Sequence, residues 1–127
     1  MAQFLNYNSK ILSFKIYSLS LHHIKQIIMK LIEINLKSIF ELCKIYNVKT
    51  LSVFGSILTN RFNDSSDIDM IVEFNNEDID DYVSNYFNFK DALTALFKRE
   101  VDLLEAKGIK NRFLLQNINR TKQVIYG

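Results

Sequence analysis

The chain of 127 residues contains no proline, three glycines and one cysteine. Proline and glycine form most tight turns and interrupt helices and strands, so their scarcity predicts mostly regular structure with few rigid turns. The single cysteine, Cys43, excludes an intramolecular disulfide and favours a reducing compartment, so we expect a cytoplasmic protein. Cys43 follows Leu36, Ile39 and Phe40 at helical spacing, which predicts a buried side chain rather than a reactive thiol.

Composition places the chain among globular proteins. Apolar residues make up 48% and charged residues 24%, and the length suits one domain with a modest core. The formal net charge of +2 is too small to indicate a nucleic-acid-binding surface. The apolar run in residues 1–28 is too short and too polar for a transmembrane segment, so we expect no membrane partner.

The spacing of apolar residues predicts alternating helices and strands. In order, these are a helix over Leu31–Tyr46, a strand over Thr50–Phe54, a short helix over Ile57–Arg61, a strand over Ile68–Phe74, a helix over Ile79–Lys98, a strand over Val101–Glu105 and a helix over Ile109–Tyr126. Asn47 tolerates the left-handed conformation and is expected to end the first helix. Asn76 or Asp78 is expected to cap the longest helix.

The stretch Gly55–Asp69 combines two features that suit a nucleotide site. Gly55 and Ser56 follow a strand, where a glycine permits a turn closed to other residues and a hydroxyl joins backbone N–H groups in binding phosphate. Asp67 and Asp69 lie two residues apart, so in an extended strand both carboxylates point to one face. Two such charges repel unless a cation offsets them, and carboxylate oxygens suit Mg²⁺ or Mn²⁺.

A third acid strengthens this interpretation. Asp102 lies near the start of the strand Val101–Glu105, and it joins Asp67 and Asp69 if that strand pairs beside Ile68–Phe74. Three carboxylates from two strands can hold two divalent ions about 4 Å apart, which suits in-line displacement at phosphorus. A Gly-Ser pair alone is usually a turn, and an Asp-x-Asp pair alone usually caps a helix or ends a loop. The combination carries the prediction.

Taken in this order, these motifs resemble the DNA polymerase beta-like nucleotidyltransferase superfamily, and most closely its minimal nucleotidyltransferase branch. The resemblance covers Leu31–Gly127 and implies an α/β (α+β) fold, with a small mixed β-sheet packed with helices. It places one nucleotidyltransferase domain at residues 29–127 and leaves residues 1–28 as an N-terminal extension outside the match. Two hypotheses stay open: Met29 is the natural initiator, or residues 1–28 add a genuine helix.

The resemblance also implies an activity. A nucleoside monophosphate, AMP from ATP, would pass to an acceptor hydroxyl with release of pyrophosphate. Asp67, Asp69 and Asp102 would bind Mg²⁺ or Mn²⁺ and carry the catalysis, while Gly55 and Ser56 would hold the phosphates. Members of this branch often accompany a helical HEPN-family ribonuclease toxin, and some silence it by transferring AMP to one of its tyrosines. A HEPN-family partner is therefore implied as well.

The sequence departs from the family pattern at one place. Many members carry Arg-Gly shortly after the Gly-Ser pair, whereas this chain has Thr59 and Asn60, and Arg61 is the candidate replacement cation for triphosphate binding. The alternative function is a non-catalytic antitoxin, or interaction subunit, that neutralises its partner by binding. The aromatic-rich segment Ile79–Lys98 favours that alternative, because an exposed part of it could dock a partner or a second copy.

Overall fold

The computed structural model describes residues 29–55, 66–75 and 80–127. Within these ranges the elements are α1 (Leu36–Ile45), β1 (Val48–Phe54), β2 (Ile68–Phe74), α2 (Tyr82–Phe97), β3 (Val101–Glu105), α3 (Arg112–Thr121) and β4 (Gln123–Tyr126). Residues 29–34 are also helical, and a 3₁₀ turn at Ala106–Gly108 follows β3. The predicted short helix Ile57–Arg61 and residues 1–28 lie outside the described ranges.

The described strands form one mixed sheet in the order β3-β2-β1-β4. β1 is antiparallel to both β2 and β4, whereas β2 and β3 are parallel. Two parallel strands need a crossover connection, and α2 supplies it between β2 and β3. The predicted α/β fold with a small mixed sheet and helices is therefore confirmed.

One face of the sheet packs against α1 and α2 to form the core. Strand residues on this face alternate with residues on the other, as a period of two requires. The strand side chains in this core are Val48, Leu51, Val53, Ile68, Met70, Val72, Phe74, Val101 and Leu103. Cys43 lies in the same core, and its burial raises the thiol pKa to about 12, so the thiol stays protonated at neutral pH. The predicted structural role of Cys43 is confirmed.

The first helix is not continuous, contrary to prediction. A turn at Asn35 separates helical residues 29–34 from α1. The Asn35 side chain donates a hydrogen bond to the Leu31 carbonyl at 2.9 Å, so a local side-chain bond competes with the helical pattern. The C-terminal end is as predicted, since Asn47 follows α1 with φ of +56°.

The longest helix begins later than predicted. α2 starts at Tyr82, and its N-cap is Asp81, whose carboxylate accepts a hydrogen bond from the Ser84 N–H at 3.1 Å. Asn76 and Asp78, the predicted caps, lie outside the described residues, and the capping prediction was wrong. Asp81 suits this position because its carboxylate reaches the free N–H of Ser84 in the first turn.

The predicted C-terminal helix Ile109–Tyr126 was wrong at both ends. The helix α3 is shorter, and its N-cap Asn111 accepts hydrogen bonds from the N–H groups of Phe113 and Leu114. The chain then becomes extended at Lys122 and continues as β4, which pairs with β1. Strand pairing at the sheet edge therefore overrides the helical spacing of the last residues.

In the described ranges, no helix is both long enough and apolar enough to cross a bilayer.

Candidate active site

β2 and β3 bring two of the predicted acids together. Asp69 is the direct partner of Asp102 in the parallel pairing, and partners in a pair direct their side chains to the same face. This face is opposite to the helices, because neighbouring Ile68 and Val101 lie in the core. The Asp69 side chain is half-buried and that of Asp102 is exposed. Two carboxylates therefore stand side by side on two adjacent strands.

Gly55 approaches the same carboxylate from β1. Phe54, at the end of β1, is the antiparallel partner of Asp69, and Gly55 follows with φ of +74°. A Cβ at Gly55 would lie 3.1 Å from Asp69 Cγ and closer still to Asp69 Oδ2. Only glycine suits this position, because it accepts the left-handed conformation and has no side chain to strike the carboxylate. Main chain thus covers Asp69 on this side.

Asp67 lies immediately before β2, two residues from Asp69, and its side chain is exposed. Ser56 and Arg61, the other predicted phosphate-binding residues, lie outside the described ranges, as do Thr59 and Asn60. Their roles stay predictions. The described part of the predicted site is therefore Gly55 with the three aspartates.

The donor chemistry of this site fits a divalent cation. Carboxylate oxygens are the ligands that Mg²⁺ and Mn²⁺ prefer, and the strand register places Asp69 and Asp102 next to each other. Among the described residues, no three His, Cys, Asp or Glu side chains are gathered to hold a metal ion. The strand pairing thus brings two acids together, and the participation of Asp67 as a third ligand stays a prediction.

The sequence pattern did not indicate one neighbour of the acids. Phe54 shares the face of Asp69 as its cross-strand partner and is half-buried there. It supplies an apolar wall beside the half-buried carboxylate. Alternation along β1 shows only which residues of β1 share a face with Phe54. That Phe54 lies beside Asp69 follows from the register between β1 and β2.

Comparison with known proteins gives the family. The family described as Polymerase beta, Nucleotidyltransferase matches residues 35–127. The chain is 37% identical over 73 residues to a protein of Methanocaldococcus jannaschii named as a candidate protein adenylyltransferase. That match covers 58% of this chain and 71% of the relative.

Two solved structures share the fold. One is a candidate minimal nucleotidyltransferase, with a TM-score of 0.61, 20% identity and coverage of 83% of this chain and 95% of the other. The second is a toxin–antitoxin crystal structure with AMP-PNP, with a TM-score of 0.57, 20% identity and coverage of 73% of each chain. These findings confirm the resemblance drawn from the motifs. The family match covers most of the chain, which therefore belongs to the polymerase beta nucleotidyltransferase family and is a nucleotidyltransferase.

Proposed function

We propose that this protein transfers AMP from ATP to a hydroxyl group of a protein partner, most suitably a tyrosine of a HEPN-family toxin. The acceptor oxygen forms a bond to the α-phosphorus, the bond from that phosphorus to pyrophosphate breaks, and the hydroxyl proton is released. The products are the adenylylated partner and pyrophosphate. The function is thus that of an antitoxin enzyme acting in the cytoplasm.

One observation carries the proposal. Asp69 and Asp102 are direct partners on adjacent parallel strands, and Gly55 packs its main chain against the Asp69 carboxylate. An accidental pair of carboxylates at neighbouring positions is unfavourable, because like charges repel at this distance. A cation bound between the two carboxylates would offset this repulsion by attracting both.

The residues divide the work as follows. Asp67, Asp69 and Asp102 would hold Mg²⁺ or Mn²⁺, which when bound would neutralise phosphate charge and favour ionisation of the acceptor hydroxyl. Gly55 places no side chain of its own against Asp69, and Ser56 and Arg61 would bind the β- and γ-phosphates. Rate enhancement then rests on positioning and on charge neutralisation. No covalent intermediate on the enzyme is required.

The comparisons support the choice of substrate and partner. The M. jannaschii relative is named for protein adenylylation, and one structural neighbour is a toxin–antitoxin assembly with an ATP analogue. Those descriptions concern the other proteins, and they favour ATP and a toxin as the first substrates to try. The departure at Thr59 and Asn60 makes Arg61 the first cation to test for triphosphate binding.

The test follows the α- and γ-phosphates of ATP separately. The protein is incubated with Mg²⁺, the product of the neighbouring gene, and ATP labelled at either the α- or the γ-phosphate. We expect label on the partner from α-labelled ATP only. Asp69→Asn and Asp102→Asn should each lower the rate by at least about a hundredfold, because each loses charge at the reacting phosphate.

Glu73→Gln is the matched control. Glu73 lies on the same strand and face as Asp69, and its 3.6 Å contact with Lys49 is a surface ion pair of small energetic value. The control should transfer AMP at the wild-type rate. Equal transfer by Asp69→Asn and wild type would refute the mechanism.

The second candidate function is neutralisation by binding alone. It is favoured by Val83 and Phe87, which leave 64% and 52% of their surface exposed on α2. The same experiment separates the two functions. A tight complex that carries no label with wild-type protein supports binding alone, whereas labelled partner supports transfer.

A further inference from the structure

Asp102 lies on β3, which has one neighbouring strand among the described residues. β3 is an edge strand, and β2 is its neighbour in the sheet order. The position of Asp102 beside Asp69 therefore depends on whatever holds β3 in place along its other side. Edge strands fray more readily than central strands, because half of their backbone groups have no partner strand.

The direction of the backbone groups in β3 follows from one hydrogen bond. The Ile68 N–H donates to the Glu100 carbonyl at 3.0 Å. Successive residues in a strand direct their backbone groups to opposite sides. The backbone groups of Asp102 therefore point to β2, like the Glu100 carbonyl, while the Leu103 carbonyl points to the free edge. The Leu103 carbonyl thus needs a partner from outside the sheet.

Two tyrosines of α2 meet this edge. The Tyr86 hydroxyl donates a hydrogen bond to the Leu103 carbonyl, and the Tyr82 hydroxyl donates to Oε2 of Glu105. Tyr82 and Tyr86 are four residues apart, so they lie on one face of the helix. Together they attach α2 to β3 at the residue after Asp102 and again at the end of the strand.

We propose that Tyr82 and Tyr86 are positioning residues that hold Asp102 in register with Asp69. The inference rests on the proposed function, since it concerns the geometry of the same acids. Neither tyrosine lies on the face of the acids, because Leu103 and Glu105 alternate with Asp102. Tyr86 therefore acts through the backbone of β3 and Tyr82 through the Glu105 side chain, and neither acts on the nucleotide.

The state of the two hydroxyls fits this role. Burial, followed by the hydrogen bond and the charge of Glu105, raises the pKa of Tyr82 above its usual value near 10. Burial and the charges of Glu105 and Asp102 likewise raise the pKa of Tyr86. Both hydroxyls keep their protons and remain donors throughout the neutral range. The link between α2 and β3 is therefore insensitive to pH in that range.

The test compares Tyr82→Phe, Tyr86→Phe and the double variant with Tyr46→Phe. Phenylalanine keeps each ring in its packing and removes only the hydroxyl. Tyr46 is the matched control, because its ring packs on Phe89 at a centroid distance of 5.7 Å, away from β3. We expect faster amide hydrogen exchange at residues 101–105 in the two tyrosine variants and the double variant, and wild-type exchange in the control.

Function is measured in two ways on the same proteins. In the transfer assay the double variant should lose on the order of tenfold in kcat with little change in KM for ATP, because a small misplacement of a reacting group slows the chemical step. Titration with Mn²⁺, in which the free ion is measured by electron paramagnetic resonance, should show that the double variant binds Mn²⁺ several-fold more weakly than wild type. A general loss of stability would instead lower the thermal midpoint and leave Mn²⁺ affinity at pre-transition temperature unchanged.

The outcomes separate this inference from the proposed function. Absence of transfer by the wild-type protein counts against the proposed function, and the exchange and Mn²⁺ measurements still decide the role of the tyrosines. Unchanged exchange in the double variant overturns the inference. Faster exchange combined with unchanged Mn²⁺ affinity also overturns it, because β3 would then be held without any effect on Asp102.

Discussion

At the scale of single residues, the site depends on the close approach of Gly55 to Asp69. We expect Gly55→Ala to lower the free energy of unfolding by about 1–3 kcal/mol, since alanine strains a left-handed position. AMP transfer should fall much further, because the new Cβ would displace the Asp69 carboxylate that lies against Gly55. Urea denaturation and the transfer assay measure the two effects on one preparation.

Gly108→Ala is the control for this substitution. A Cβ added at Gly108 would lie 4.0 Å from the Cβ of Glu105, its nearest neighbouring atom, which is an ordinary van der Waals contact. We expect near wild-type stability and transfer. If Gly55→Ala behaves like Gly108→Ala in both assays, the approach of Gly55 to Asp69 has no functional importance.

The sequence was sufficient for part of this geometry and insufficient for the rest. The burial of Ile68, Met70, Val72 and Phe74 follows from the alternation of the sequence, because alternation depends only on the period of one strand. The contact between Gly55 and Asp69 was not predictable in the same way. It depends on the register between β1 and β2, which no local pattern specifies.

At the scale of elements, α2 has a pH-dependent N-terminus. Hydrogen bonds from the backbone N–H and the hydroxyl of Ser84 lower the pKa of Asp81. Because the pKa is lowered on folding, the cap stabilises the fold fully at pH values above the unfolded-state pKa of about 4. This stabilisation is lost as the pH falls through the folded-state pKa. We expect Asp81→Ala to destabilise the protein at pH 7 and to have little effect near pH 2.

Asp80→Ala is the neighbouring control, because α2 is capped by Asp81 rather than by Asp80. The measurement is the thermal midpoint of each variant from pH 7 down to pH 2. A deficit of Asp81→Ala that stays constant over this range would show that the charge of the cap does not contribute.

β4 offers a prediction whose sign distinguishes a strand from a helix. Val124 pairs with Ser52 and is 55% exposed, so its packing contribution is small. In a strand, Val124→Ala should cost up to about 1 kcal/mol, because valine has the higher strand propensity. In a helix the same change should stabilise by a few tenths of a kcal/mol. Urea denaturation gives the sign, with Gln116→Ala in α3 as the helical control.

β4 was missed in the sequence for a physical reason. The segment Gln123–Tyr126 is short, and its apolar residues continue the spacing of the preceding helix closely enough to extend it. Its strand conformation comes from pairing with β1 and from the edge-to-face contact of Tyr126 with Phe40, at a centroid distance of 5.3 Å. Both are tertiary contacts, which override weak local preferences.

At the scale of the whole molecule, chain topology creates the site. Asp69 and Asp102 are distant in sequence, and α2 returns the chain so that β3 runs parallel to β2. The sequence indicated both strands and made the meeting of the acids conditional on their pairing. Pairing across a crossover is a property of the complete fold, because a sheet order in which β2 and β3 are not neighbours would separate the two acids.

The N-terminal boundary of the domain is also a property of the whole molecule. We propose that residues 29–127 fold without residues 1–28, since the core cluster of the described ranges extends from Ile32 to Leu103. A chain of residues 29–127 should unfold cooperatively in urea with a free energy within about 1 kcal/mol of the full chain, as expected if the core cluster of the described residues is sufficient for folding.

A chain of residues 36–127 sharpens this comparison. It keeps almost the entire family match but loses Ile32, which is only 3% exposed. Removal of a buried isoleucine should cost about 2–5 kcal/mol, because its contacts and its burial from water are both lost. If residues 29–127 lose as much stability as residues 36–127, then residues 1–28 belong to the folded domain. If only the shorter chain is destabilised, the domain begins at the helical turn that carries Ile32.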